Sequence, residues 1–158
     1  MPTSLVSAGL LLYRRGPAGL EVLLGHPGGP FYRNKDDGFW TIPKGGAEAG
    51  ESLTDAARRE LREEMGVVVA AETTLMPLGE IRQKAGKAVH AWAVEGDLPA
   101  GFTPTSNTFE IEWPPRSGRR QSFPEIDRVA FFPVAEARRK MNAAQSAFLD
   151  RLETGLLP

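Results

Sequence analysis

The stretch from Gly45 to Val67 constrains this chain more than any other part of it. It opens Gly45-Gly46-Ala47-Glu48-Ala49-Gly50-Glu51 and closes Arg59-Glu60-Leu61-Arg62-Glu63-Glu64-Met65-Gly66-Val67. Glu60, Glu63 and Glu64 stand at i, i+3 and i+4, so a helix sets all three on one face within about a 100° arc. Like charges packed that closely repel and weaken an isolated helix, which calls for a positive occupant. An all-oxygen cluster suits a hard divalent cation, Mg²⁺ or Mn²⁺, far better than Zn²⁺. Ser52 and Asp55 have capping-box spacing, with Asp in place of Glu or Gln, and Gly66 supplies a helix stop. The segment therefore reads as a loop, a helix over 56–65 and a stop.

The rest of the chain reads as alternating strands and helices. Apolar runs over 5–13 and 21–25 flank turn residues and predict a hairpin. Residues 26–37 read as a loop, 39–42 as a short strand, and Pro43 with Lys44-Gly45-Gly46 as a turn. Strands are expected over 74–84, 88–95 and 128–132, and helices over 134–140 and 143–152, the last capped by Asn142 and Gln145. Residues 96–124 are rich in Pro, Gly and Ser, with one apolar–polar segment at 108–113. Pattern alone gives a mixed sheet flanked by helices, as one domain over 1–158. A net charge of −1 gives no global attraction to DNA, RNA or membranes. The chain has no cysteine, which excludes disulfides and thiolate metal sites. With neither a signal-peptide pattern at its start nor an apolar run of membrane length, the cytoplasm is expected.

The segment 45–67 matches G-x5-E-x7-R-E-U-x-E-E-x-G-U, with U aliphatic, at all nine specified positions. The chain thus resembles the Nudix hydrolases, which cleave a diphosphate linkage in nucleoside diphosphates joined to another group. The resemblance implies an α/β/α Nudix sandwich. It further implies that Glu60 and Glu64 ligate Mg²⁺, with Glu63 joining when more than one ion binds, and that Lys44–Gly45 brings a backbone carbonyl to the metal. Arg59 is expected to orient a catalytic carboxylate, and Glu51 to brace the loop against the helix. Family members draw a base from the box, where Glu60 and Glu63 stand, or from a distant loop, where Glu125 stands. Ala56 and Ala57, a turn earlier, are expected to leave room for hydrated ions and phosphate.

Two further segments, 39–45 and 86–92, resemble parts of the diadenosine polyphosphate hydrolases and of the inositol-pyrophosphate and RNA-pyrophosphate branches. Lys44, Arg82, Lys84 and Lys87 are candidates for gripping additional phosphates. Trp40 is a candidate for stacking on a base, against a core role shared with Trp92 and Trp113. His26 and His90 belong to no metal pattern and are read as structural. The expected activity is Mg²⁺-dependent hydrolysis of diadenosine or other nucleoside polyphosphates. ADP-ribose, noncanonical nucleoside triphosphates and RNA 5′ ends are the alternatives, the last disfavoured by the charge. A nucleotide-sensing module without turnover is the non-enzymatic alternative; such a module is expected to lose box glutamates, and all are present.

Overall fold

A computed structural model describes residues 6–83 and 86–158. Leu5, at the start of the first expected strand, and Lys84 lie outside the described residues. The elements run β1 (Val6–Gly16), β2 (Gly19–Pro27), β3 (Lys44–Gly46), α1 (Leu53–Met65), β4 (Met76–Arg82), β5 (Ala88–Glu95), β6 (Thr108–Glu112), β7 (Arg120–Pro124), β8 (Ile126–Pro133), α2 (Val134–Lys140) and α3 (Ala147–Gly155). The main sheet has the order β4-β5-β1-β2-β8, with β3 also on β1. β1 and β5 run parallel and the other pairs antiparallel, giving the mixed sheet expected from pattern.

β1 is the hub. It is buried from Ser7 to Tyr13, as befits a central strand covered on both faces. Ala8, Leu10 and Leu12 point to one face and pack with Ala56, Ala57, Leu61 and Met65 of α1. Leu11 and Tyr13 point to the other and pack with Ala137 of α2 and Phe148, Leu149 and Leu152 of α3. Period-two alternation thus builds two cores from one strand, with helices on both faces of the sheet. Burying Leu61 alone contributes about 2 kcal/mol of transfer free energy.

On one edge β1 serves two partners. Tyr13–Gly16 pair with β2, whereas Ser7–Gly9 pair with β3. The second pairing makes Lys44–Gly46 a strand, where a turn was expected, and lays it beside α1. Conversely, residues 39–42 form no strand, because their backbone is shared between two neighbours. Thr41 exchanges both hydrogen bonds with Gly25 at 2.9 Å, while the Trp40 N–H donates to the Lys140 carbonyl at 3.0 Å. The expected helix over 143–152 is broken for a similar reason. Asn142 Oδ1 accepts the Ala144 N–H at 2.9 Å. Gln145 turns inward instead of capping, accepting the Ile42 N–H at 3.1 Å and donating to Thr41 Oγ1 at 2.9 Å. Residues 96–124, read mostly as loop, contain the β6–β7 hairpin, a separate two-stranded sheet.

Candidate active site

The helix α1 is delimited as its sequence indicates. Ser52 Oγ accepts the Asp55 N–H at 3.1 Å, and Gly66 adopts φ 78° while its N–H closes on the Arg62 carbonyl. Its buried face holds Ala56, Ala57, Leu61 and Met65, and at its edge Glu60 and Glu64. Ala56 and Ala57 do not leave space for phosphate. They are wholly buried against β1, where their small size lets helix and sheet approach.

Glu60 and Glu64 are buried carboxylates one helical turn apart. Desolvation raises the Glu60 pKa, against the pull of Arg59. Glu64 is pushed up to about 8, first by desolvation, then by the Glu60 charge, with Glu125 adding to the same effect. Among the described residues its protein donor is the Lys44 N–H, 3.1 Å from Oε2. Gly45 lies flat against Glu60, and a Cβ there would overlap the carboxylate, so a larger residue at this position of β3 would displace Glu60.

Arg59 ties the acidic groups together. Its Nε and Nη2 grip Glu51 in a two-pronged pair at 2.9 and 3.0 Å. Nη1 donates to Glu60 at 2.9 Å and to Glu63 at 3.0 Å, and Nη2 also reaches the Gly46 carbonyl at 2.9 Å. Such paired charge-assisted bonds fix a guanidinium in orientation as well as energy. The Arg59 guanidinium holds the Glu51 carboxyl below its usual range.

Glu125 reaches the same place by a ladder of backbone bonds. The Asn107 N–H donates to the Glu63 carbonyl, the Glu125 N–H to the Asn107 carbonyl at 2.9 Å, and the Gly28 N–H to the Glu125 carbonyl at 2.9 Å. The helix thereby holds the segment entering β8, and Glu125 lines one cleft with Glu64, Lys44, Thr41 and Gln145. Glu125 is itself exposed, and partial desolvation on the cleft side raises its pKa. The cleft has a volume of about 790 Å³.

Other candidates fall differently. Lys44 is half-buried, its pKa lowered by desolvation and by Lys87, against the opposing pull of Glu64 and Glu60. Lys44 and Lys87 share a hollow with Gln83 and Asn142. Arg82 is exposed, bound to the Gly86 carbonyl at 3.2 Å and 3.5 Å from Glu80, and lines neither hollow. The Trp40 expectation is corrected. Its ring is 4% exposed, set edge-on against His26 and Phe132, with Nε1–H donating to Asp36 at 2.8 Å. No face is left for a base. Phe39, its sequence neighbour, and Tyr32 line the cleft instead. Their composition gave no sign of this; nor did that of Gln145.

The donor set fits a hard divalent cation. Two buried carboxylates that resist ionisation side by side are stabilised by such an ion, and Mg²⁺ commonly takes only one or two carboxylates with water and phosphate oxygens. Among the described residues no three acidic or histidine side chains converge to hold an ion, and Arg59 Nη1 bonds both Glu60 and Glu63.

A family model of the NUDIX domain matches residues 3–152. The chain belongs to the Nudix family. Its fold is also that of several solved structures. An Ap4A hydrolase from C. elegans, in a binary complex, is 21% identical over 95% of this chain and 97% of its own, with a TM-score of 0.68. The NUDIX domain of Shewanella oneidensis NrtR, complexed with ADP ribose, is 17% identical over 99% and 91%, with a TM-score of 0.66. The MutT protein from Methanosarcina mazei Go1 is 18% identical over 94% and 92%, with a TM-score of 0.58. With its box complete, this Nudix protein is a pyrophosphohydrolase, an enzyme acting on phosphorus-containing anhydrides. Among the described residues no helix is long and apolar enough to cross a membrane.

Proposed function

We propose that this enzyme is a cytoplasmic, Mg²⁺- or Mn²⁺-dependent hydrolase of nucleoside polyphosphates, with dinucleoside polyphosphates such as diadenosine tetraphosphate preferred. One observation carries the reading. The cleft beside Glu64 and Glu125 shares Gly38, Lys44, Gln83 and Asn142 with the hollow that holds Lys87. Burial and the nearby Lys87 charge disfavour the ammonium form of Lys44, and an anion placed between the two side chains relieves that strain. Phosphates beyond the pair being separated meet this demand through charge-assisted bonds.

In this reading Arg59 keeps Glu60 and Glu63 in place, and Glu51 keeps Arg59 in place. Glu60 and Glu64, with Glu63 beside them, would hold a divalent ion, which would neutralise phosphate oxygens and ease loss of a proton from the attacking water. Glu125 takes that proton as the water oxygen forms a new bond to phosphorus. The bridging P–O bond breaks, and the leaving phosphate departs with the electron pair. A carboxylate whose pKa is raised is a stronger base than one in open water. DNA is not an expected partner, and RNA 5′ ends are disfavoured by the net charge of −1.

The test compares kcat/KM for diadenosine tetraphosphate and ADP-ribose at saturating Mg²⁺. The tetraphosphate is expected to be the better substrate, and Lys87→Met to narrow the difference by weakening the hold on the extra phosphates. Equal or better activity on ADP-ribose would defeat the polyphosphate preference and leave the family untouched.

A further inference from the structure

The loop joining β2 to β3 sorts its aromatic residues in an unusual way. Phe31, Tyr32 and Phe39 are 62%, 40% and 39% exposed, and among the described residues they are the exposed large aromatics. Scattered apolar side chains on a surface are ordinary, whereas a cluster at the lip of a cleft marks a binding surface. Phe31 meets Trp113 of the hairpin edge-on at 5.4 Å, and so braces the loop. Tyr32 and Phe39 line the cleft that contains Lys44, Glu64 and Glu125.

The backbone that presents them is held from beneath. His26 is wholly buried; its Nε2–H donates to the Lys35 carbonyl at 2.6 Å, and Nδ1 lies 2.9 Å from Asp127 of β8. Asp36 accepts from the Trp40 indole and from the Lys140 ammonium, each at 2.8 Å. The Gly38 N–H bonds the carbonyls that end α2. Two aromatic rings thus stand at the water boundary on a loop that is hydrogen-bonded from beneath. Uncovered apolar surface of this kind costs free energy unless a ligand covers it.

We propose that Tyr32 and Phe39 form a nucleobase-stacking platform for the substrate whose phosphates reach Lys44 and Lys87, an assignment that rests on the nucleotide reading above. The division of charge along the cleft supports it: aromatic at the lip, carboxylate and ammonium at the floor. The two ring centroids lie 6.2 Å apart with their planes inclined at 53°, too close and too tilted to sandwich a base, so a base stacks on one ring and packs its edge against the other. Lys35 Nζ, 5.6 Å from the Phe39 centroid, keeps the rim positive. Stacking of this kind accepts any base and rejects a substrate without one.

The experiment uses Tyr32→Ala, Phe39→Ala and Tyr32→Phe in the full chain. It measures kcat/KM on diadenosine tetraphosphate and the Ki of an abasic analogue with the same phosphate chain. Each alanine variant is expected to lose about tenfold or more in kcat/KM on the nucleotide, mainly through KM, with the Ki of the abasic analogue unchanged. Tyr32→Phe keeps the ring and is expected to retain wild-type values. Equal weakening toward both compounds, or no loss on a nucleotide that the wild type cleaves, overturns the platform alone. A wild type that cleaves only base-free diphosphates overturns the nucleotide reading, and the platform with it.

Discussion

Glu64→Gln is expected to stabilise the metal-free protein at alkaline pH while lowering its activity by orders of magnitude. Glu64 is buried, and its pKa moves from the ordinary 4.5 to about 8, mainly by desolvation and then by the Glu60 charge. The folded state therefore holds a proton that the unfolded chain releases, throughout the window between those two values. More protons on the folded state mean that stability falls as pH rises. Below about pH 4.5 both states are protonated and the cost vanishes; above about pH 8 it is complete. Integrated over the window the displacement corresponds to about 5 kcal/mol, and between about pH 5.5 and 8.5 to about 3 kcal/mol. Glutamine carries no charge at any pH and still accepts the Lys44 N–H through its amide oxygen. Urea denaturation of both proteins in chelator, at the two pH values, measures the difference, and subtraction cancels every group that Glu64 does not influence. Wild-type and variant stabilities that run parallel, within about 1 kcal/mol, would refute the buried, charge-repelling environment assigned to Glu64. With saturating Mg²⁺ the order reverses: the wild type gains stability by ligand linkage and the variant gains less. Turnover of Glu64→Gln, and of Glu63→Gln, is expected to fall by orders of magnitude with the fold intact; near-normal turnover in both would dismiss the metal-site assignment.

Two further outcomes test how the site is built. Glu125→Gln should lower kcat by about 10²-fold or more with a smaller change in KM, and should remove the fall in rate that wild type undergoes as pH drops through the raised Glu125 pKa; wild-type kcat would return the base to the box. Gln145→Leu leaves the buried Ile42 N–H without its acceptor and should cost about 1–3 kcal/mol in urea denaturation, read as a lower midpoint at constant slope, whereas an unchanged midpoint would show that the amide does not hold the segment leading into β3.

What could be read in the sequence is what short separations govern. The start and stop of α1 rest on Ser52, Asp55 and Gly66, all within a turn of the helix ends. The acidic face follows from 3.6-residue periodicity. Such features survive without knowledge of the remaining fold, because each partner is carried by the same local backbone. The β1–β2 hairpin was legible on the same grounds, from two apolar runs around a turn.

Tertiary structure alone decided the rest. Phe39 and Trp40 are adjacent and similar in chemistry, yet Trp40 is buried and Phe39 faces the cleft. The choice is made by Asp36, which takes the indole N–H, and by Phe132, distant in sequence, which takes the ring's edge. Lys44–Gly46 look like a turn until Ser7–Gly9 of β1 offer them a ladder. Gln145 sits at helix-cap spacing, yet Thr41 and Ile42 claim its amide. Glu125 could be marked from its place before the last strand. Its position beside Glu64 depends on bonds from Glu63 to Asn107 to Glu125 to Gly28, each spanning many residues. Contacts of that range leave no period or composition in the chain, since their partners meet only after the sheet has formed.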